Sequence, residues 1–241
     1  MIELAVTQNT PQWHAQRAGI PTASAAARLI TPTGKTAGGE TVEKYMWQLI
    51  YERIATSPIV SFKSFWMERG TELEEQAVKL YEFAREVETE YCGFILNDSR
   101  TAGASPDRKL KGKKAGLECK APKPEEHLMY LRHSGYAWKQ HYPQLQFQLM
   151  ITGWDYMDLY SYHEDLPPAM QQTPAQADYI ETLTNIVGEF SIKLEKEYAA
   201  MVADGLAPEK WRKAEQMPKP QPISQASIID EMRTVMGEVN R

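Results

Sequence analysis

The chain has 241 residues, of which 42% are hydrophobic and 24% charged, and its formal net charge is −5 at pH 7. That is enough for one large globular domain with its own core, and it excludes a bulk polycation, so any contact with nucleic acid must rest on local positive charge. No apolar run approaches the roughly 20 residues of a membrane span and no basic, apolar leader opens the chain, so a cytoplasmic protein is expected; the 2 cysteines are too few for a disulfide framework or a zinc cluster, which leaves oxygen ligands for any metal.

Pro21 and Thr22 mark the start of a short helix over 22–30. The loop that follows carries Gly34-Lys35-Thr36, which looks like the end of a phosphate-binding loop, but Leu29 stands where that motif needs a glycine, so a surface loop is expected. Helical periodicity runs over 40–55 and again over 65–86. In the second segment Leu73, Ala77, Leu80, Tyr81 and Ala84 form an apolar stripe, with Glu68, Glu72, Glu75, Glu82 and Glu86 opposite. Glu74 belongs to neither group. At the edge of the stripe its carboxylate needs a positive partner, either a basic side chain or a metal ion.

The period then shortens. Residues 88–97, 101–105 and 115–120 alternate like strands and read as a β-meander, the last two joined by a Lys- and Gly-rich turn from Arg108 to Gly116. Helices follow over 125–133 and 138–152, then an aromatic strand over 156–163, a break at Pro167-Pro168 and a long helix over 175–206. The segment 217–222 is a stiff proline linker, and beyond it Ile228, Met232, Val235 and Val239 fall on one helical face. The expected organisation is therefore a domain over 1–210 and a proline-tethered tail with a short helix over 211–241.

Two of these strands carry the chemistry. In Glu118-Cys119-Lys120 the first and third side chains share a face and Cys119 points to the other side. If the strand of Asp107 pairs with this one, the two carboxylates approach within a few ångströms, where only a cation keeps them from repelling each other. Oxygen-rich sites with few protein ligands suit Mg²⁺ or Mn²⁺. A lysine on the same face can position a water for attack on a phosphate. In the helix over 138–152, Gln140, Gln144 and Gln148 form a polar stripe, whereas Gln146 projects on an apolar side, where its amide needs either a catalytic partner or the backbone.

Asp107 followed by Glu118-x-Lys120 resembles the PD-(D/E)xK nuclease motif. Together with Trp13-His-Ala-Gln-Arg17-x-Gly19, Ala23-Ser24, Glu74, Ser105-Pro106-Asp107 and Gln144-Leu-Gln146, the order of motifs resembles the YqaJ-like viral recombinase family, the alkaline 5′–3′ exonucleases of phage lambda type, over about residues 13–155. The resemblance implies an α/β PD-(D/E)xK core, a central mixed β-sheet flanked by helices, with a C-terminal helical extension. It implies 5′-to-3′ digestion of one strand of linear duplex DNA, leaving 3′ tails for phage-type recombination by strand annealing. It gives Asp107, Glu118 and the Cys119 carbonyl as ligands of Mg²⁺, with Mn²⁺ as an alternative and two ions per site, and Glu74 as a further acidic ligand. Lys120 and Gln146 would handle the nucleophilic water, and Arg17, Ser24 and Ser105 would bind the 5′-phosphate. The implied partners are duplex DNA ends, a single-strand annealing recombinase and two further copies in a ring-shaped homotrimer, with the basic run Arg108, Lys109, Lys111, Lys113 and Lys114 a candidate for local DNA-facing charge. The competing readings are a restriction-like endonuclease on the same site and a non-catalytic DNA-end binding protein.

Overall fold

The computed structural model describes residues 1–55, 65–133 and 135–209, with the side chains of 65–72 and 137 outside the description. The tail over 211–241, with its linker and helix, and the side chains of Glu68 and Glu72 therefore lie outside the described residues. The element order is β1 (Ile2–Leu4), α1 (Pro11–Arg17), a 3₁₀ helix (Ala23–Arg28), α2 (Gly39–Ala55), α3 (Phe65–Arg85), β2 (Thr89–Tyr91), β3 (Phe94–Leu96), β4 (Gly103–Ala104), β5 (Arg108–Leu110), β6 (Ala115–Lys120), α4 (Pro124–Arg132), α5 (Gly135–Thr152), β7 (Tyr156–His163), β8 (Leu166–Pro174) and α6 (Ala177–Ala203).

The expected meander is divided between two sheets. Among the described residues β1, β3 and β4 form an antiparallel three-stranded sheet, and the larger sheet has the order β2-β5-β6-β7-β8. Only β6 and β7 in it run parallel, and the crossover between them carries α4 and α5, the length such a connection requires. The result is a mixed central sheet with helices on both faces. On one face Ala77, Val78 and Tyr81 of α3 pack on Leu117 and Tyr160; on the other, Leu145 and Leu149 of α5 pack on Met157 and Leu159. A separate cluster joins α2, α5 and α6 through Tyr45, Leu49, Phe147, Leu183 and Phe190.

Three departures from the sequence reading have local causes. The 22–30 helix is a shorter 3₁₀ helix, and a seven-residue α-helix precedes it, capped by the Thr10 hydroxyl, which accepts from the Trp13 N–H. Part of the turn from Arg108 to Gly116 is the strand β5, paired to β6 as Arg108 with Leu117 and Lys109 with Gly116. The break at Pro167-Pro168 is instead the start of β8, an edge strand, where a missing N–H takes no bond from the ladder. At Gly116 an added Cβ would overlap the indole of Trp154 and the sulfur of Met157, so any larger residue must displace them.

Candidate active site

The pairing of β5 with β6 decides where the acids stand. Arg108 opposite Leu117 is the last pair at this end of the two strands, so Asp107 lies just beyond it, beside Glu118. There the strands part, and the freed Cys119 N–H donates to Asp107 Oδ2 at 2.7 Å. The N–H and C=O of one residue in a strand face the same edge, so the Cys119 carbonyl is turned toward Asp107 as well. Its thiol lies on the opposite face, where burial pushes its pKa well up.

Glu118 is 3% exposed, yet both of its carboxylate oxygens are hydrogen-bonded. Oε1 accepts from Lys120 Nζ and from Gln144 Nε2, both at 2.6 Å, and Oε2 accepts from Gln148 Nε2 at 2.6 Å. A carboxylate has about four lone-pair sites, so one on Oε2 remains. Among the described residues no hydrogen bond reaches Asp107 Oδ1. Burial, reinforced by the Glu118 and Glu74 carboxylates, pushes the Asp107 carboxyl well above its ordinary range. Burial works against the Lys120 ammonium, but Glu118 and Asp107 outweigh it and raise its pKa.

Among the described residues no three His, Cys, Asp or Glu side chains form a metal cluster. The donor set that is present, the Asp107 Oδ1 oxygen, the remaining lone-pair site on Glu118 Oε2 and the Cys119 backbone carbonyl, fits a small oxygen-seeking dication that keeps most of its own water. Glu74 answers the question its sequence position raised in favour of a basic partner. Its Oε1 accepts from Arg108 Nη1 at 3.0 Å; the same guanidinium pairs with Glu75, donates to the Asp107 carbonyl at 2.7 Å and stacks 3.9 Å over Tyr91. Burial raises the Glu74 carboxyl and Arg108 opposes the rise, while Glu75 and Glu118 add to it.

Gln146 is not at this site. It is fully buried and bonded to backbone, donating to the Pro174 carbonyl at 2.8 Å and accepting from the Gln176 N–H at 3.0 Å. The amides that touch Glu118 are Gln144 and Gln148, one helical turn apart on α5 and two members of the polar stripe that reads equally well as a solvent face. One residue short of a turn before Gln144 stands His141, whose Nε2 meets the Tyr130 hydroxyl at 3.1 Å; burial and the neighbouring Lys120 push it down to about 4, so it is neutral. Neither His141 nor Tyr130 carries a sequence signal.

A second cluster adjoins the first through Ser105. Arg17 Nη2 donates to Ser24 Oγ at 2.8 Å and its guanidinium lies 4.1 Å over the Trp13 ring, while Trp13 Nε1 donates to Ser105 Oγ at 3.0 Å. The loop that carries Arg17 is clamped at Gly19, whose N–H donates to Glu52 and whose carbonyl accepts from Arg53, both at 2.9 Å. Burial lowers the Arg17 pKa, and Tyr45 and Glu52 counter it. The basic run is largely neutralised: Arg108 is paired as described, Lys109 with Glu3 and Glu90, and Lys111 with Glu88, which leaves Lys113 and Lys114 as its exposed members without an ion pair among the described residues.

The fold is that of known exonucleases. An alkaline exonuclease from Laribacter hongkongensis is 26% identical, with a TM-score of 0.73 over 81% of this chain and 98% of that one. The same exonuclease in complex with dAMP gives 27% and 0.72. A phage-related exonuclease from Haemophilus somnus, at 14% identity and a TM-score of 0.62, shares the fold. Among curated proteins none matches. No helix among the described residues is long and apolar enough to cross a membrane. The model of the YqaJ-like viral recombinase domain matches residues 12–155, which contain every acidic, basic and amide group of the two clusters, and the chain belongs to that family, with a nuclease role in recombination.

Proposed function

We propose that the protein is a metal-dependent 5′-to-3′ exonuclease that digests one strand of linear duplex DNA and leaves 3′ single-stranded tails for strand annealing. The observation that carries the reading is the Asp107–Glu118 pair, with Lys120 bonded to Glu118 and with Asp107 two residues along the chain from Ser105, which the Trp13 indole links to the Arg17 guanidinium. The likeness to an alkaline exonuclease, whose structure is also known in complex with dAMP, supports it.

Asp107, Glu118 and the Cys119 carbonyl would hold the divalent cation, Mg²⁺ or Mn²⁺, with a second ion requiring Glu74 to leave Arg108. Bound there, the cation supplies Lewis-acid polarisation of the scissile phosphate. Lys120 orients the attacking water, and Gln144 and Gln148 fix the Glu118 carboxylate against which that water is aligned. Arg17 with Ser24 and Ser105 binds the terminal 5′-phosphate, which carries more charge than an internal diester and suits a guanidinium fork. A pocket that selects a 5′-phosphate can act repeatedly only if each cut regenerates one. Water must therefore add to phosphorus as the P–O3′ bond breaks, releasing a nucleotide with a 3′-hydroxyl and leaving the phosphate on the new end.

Three copies in a ring around the DNA, an annealing protein as partner and a cytoplasmic setting complete the reading, and a light-scattering mass of three chains is expected. The decisive experiment incubates the protein with Mg²⁺, linear duplexes labelled at either end, and the same DNA as a closed circle. Loss of 5′ label alone, with the circle intact, is expected; a cut circle rejects the exonuclease in favour of an endonuclease. Asp107→Asn and Glu118→Gln are each expected to abolish release, and near-normal cleavage by either would remove it from the site.

A further inference from the structure

The cavity with the clearest relation to the site lies on the far side of it from Arg17. It measures about 540 Å³ and is built over β7 and β8 from Leu159, Ser161, Ala169 and Met170, with Tyr130 and Trp138 as its aromatic walls. Its floor is in register with the catalytic strand: Leu159 is the parallel partner of Glu118, and Ser161 of Lys120. Partnered residues put their side chains on the same face of a sheet, about 4.8 Å apart. The cavity is thus one strand spacing from the carboxylate and ammonium of the site. The Tyr130 wall of the cavity meets His141, the neighbour of Lys120, at 3.1 Å.

Resting on the exonuclease reading, we infer that this cavity receives the base of the second nucleotide from the 5′ end of the strand being cut. The order of groups across the sheet gives the assignment. Arg17, Ser24 and Ser105 adjoin the segment that enters β5 through Asp107, on one side of β6, and the cavity lies on the other side, over β7. A strand whose terminal phosphate sits in the first and whose next phosphate lies over the acids has its second nucleotide directed at the cavity. That phosphate belongs to the second nucleotide, and its base hangs one sugar away from it, comparable with the strand spacing.

The physical need is plain. A phosphate inside a stacked duplex cannot descend to a carboxylate as buried as Glu118 unless its base leaves the stack, and unstacking is costly. Tyr130, Trp138 and the Met170 thioether replace the lost stacking with contacts that every base can make. Most of its polar groups are already engaged: the Ser161 hydroxyl meets His127 Nδ1 at 2.8 Å and the Tyr130 hydroxyl bonds Glu126, Gln140 and His141, which leaves the Trp138 indole N–H and the Gln171 amide. A cavity that grips a base without reading its edge suits an enzyme that must accept all four in turn.

The test uses the full-length chain, Mg²⁺ and 5′-phosphorylated duplexes with a single tetrahydrofuran abasic nucleotide at the first position, at the second, or deep in the duplex. The first cut is expected to slow by about 5- to 150-fold when the second position is abasic, the range for loss of one stacked base, and little in the other two. An abasic site also eases fraying, so an equal or faster cut at the second position overturns the inference. If intact linear duplex is not digested at all, the exonuclease reading itself fails; digestion without the abasic effect removes only the cavity's role. Ala169→Phe, which fills the cavity, should slow intact DNA and erase the difference, and a folded variant that keeps the full difference counts against the inference. Independently of cleavage, 2-aminopurine at the second position, bound with Ca²⁺ in place of Mg²⁺, should depart from its duplex fluorescence. An unchanged signal shows that the base never leaves the stack.

Discussion

The Glu118 carboxylate is where single atoms decide the outcome. It lies buried with three donors, and each of them fixes an oxygen that must face a cation or a water. Gln148→Ala removes the only side-chain donor to Oε2 among the described residues and should lower single-turnover cleavage by about 10- to 150-fold, the range for a hydrogen bond to a charged group, with an unchanged circular dichroism spectrum. Gln146→Ala is expected to behave in the opposite way. It leaves the Pro174 carbonyl and the Gln176 N–H without their partner, so it should cost about 1–3 kcal/mol in thermal or urea unfolding and leave the cleavage rate of the folded protein alone. If Gln146→Ala instead cut the rate at full stability, the assignment of the amides would be reversed. The sequence shows why the two were hard to tell apart. A lone amide among apolar neighbours draws the eye as the functional one, whereas Gln144 and Gln148 sit in a stripe that has the spacing of any solvated helix face.

At the scale of elements, most helices and the strands β6 and β7 are legible from periodicity, because long runs with one buried face have only one period that fits. The short strands are not. β5 is hidden in a run of Arg and Lys that reads as a turn; in the fold Arg108 is buried because Glu74, Glu75 and Tyr91 surround its guanidinium, a partnership that no local pattern announces. Arg108→Leu removes the shared cation of two carboxylates and should destabilise the protein by about 3–5 kcal/mol, read from urea midpoints. A loss below about 1 kcal/mol would mean that the acids are satisfied without it. The close approach of Trp154 and Met157 to Gly116 sets another limit on β6: Gly116→Ala forces both aside and should cost about 1–3 kcal/mol, with the catalytic strand shifted and cleavage reduced as well.

Over the whole molecule, the site is assembled from parts remote in the chain. The contact from Trp13 to Ser105 spans 92 residues, and it joins the pocket of Arg17 to the strand that leads into Asp107. Arg17→Ala should slow digestion of 5′-phosphorylated ends strongly and of 5′-hydroxyl ends little, narrowing the preference by about 1–3 kcal/mol in competition assays. Equal slowing of both, or a loss of stability with the preference intact, would make Arg17 a structural residue. The parallel pairing of β6 with β7 has a consequence for biosynthesis. Glu118 and Lys120 leave the ribosome well before their partners Leu159 and Ser161, and the amides that hold Glu118 arrive on α5 in between. Parallel pairing across a helical crossover closes late, since the entropy of the intervening chain must be overcome first. On the proposed reading the site is therefore incomplete until β7 has been synthesised and docked, and a fragment that ends before residue 156 should show no nuclease activity.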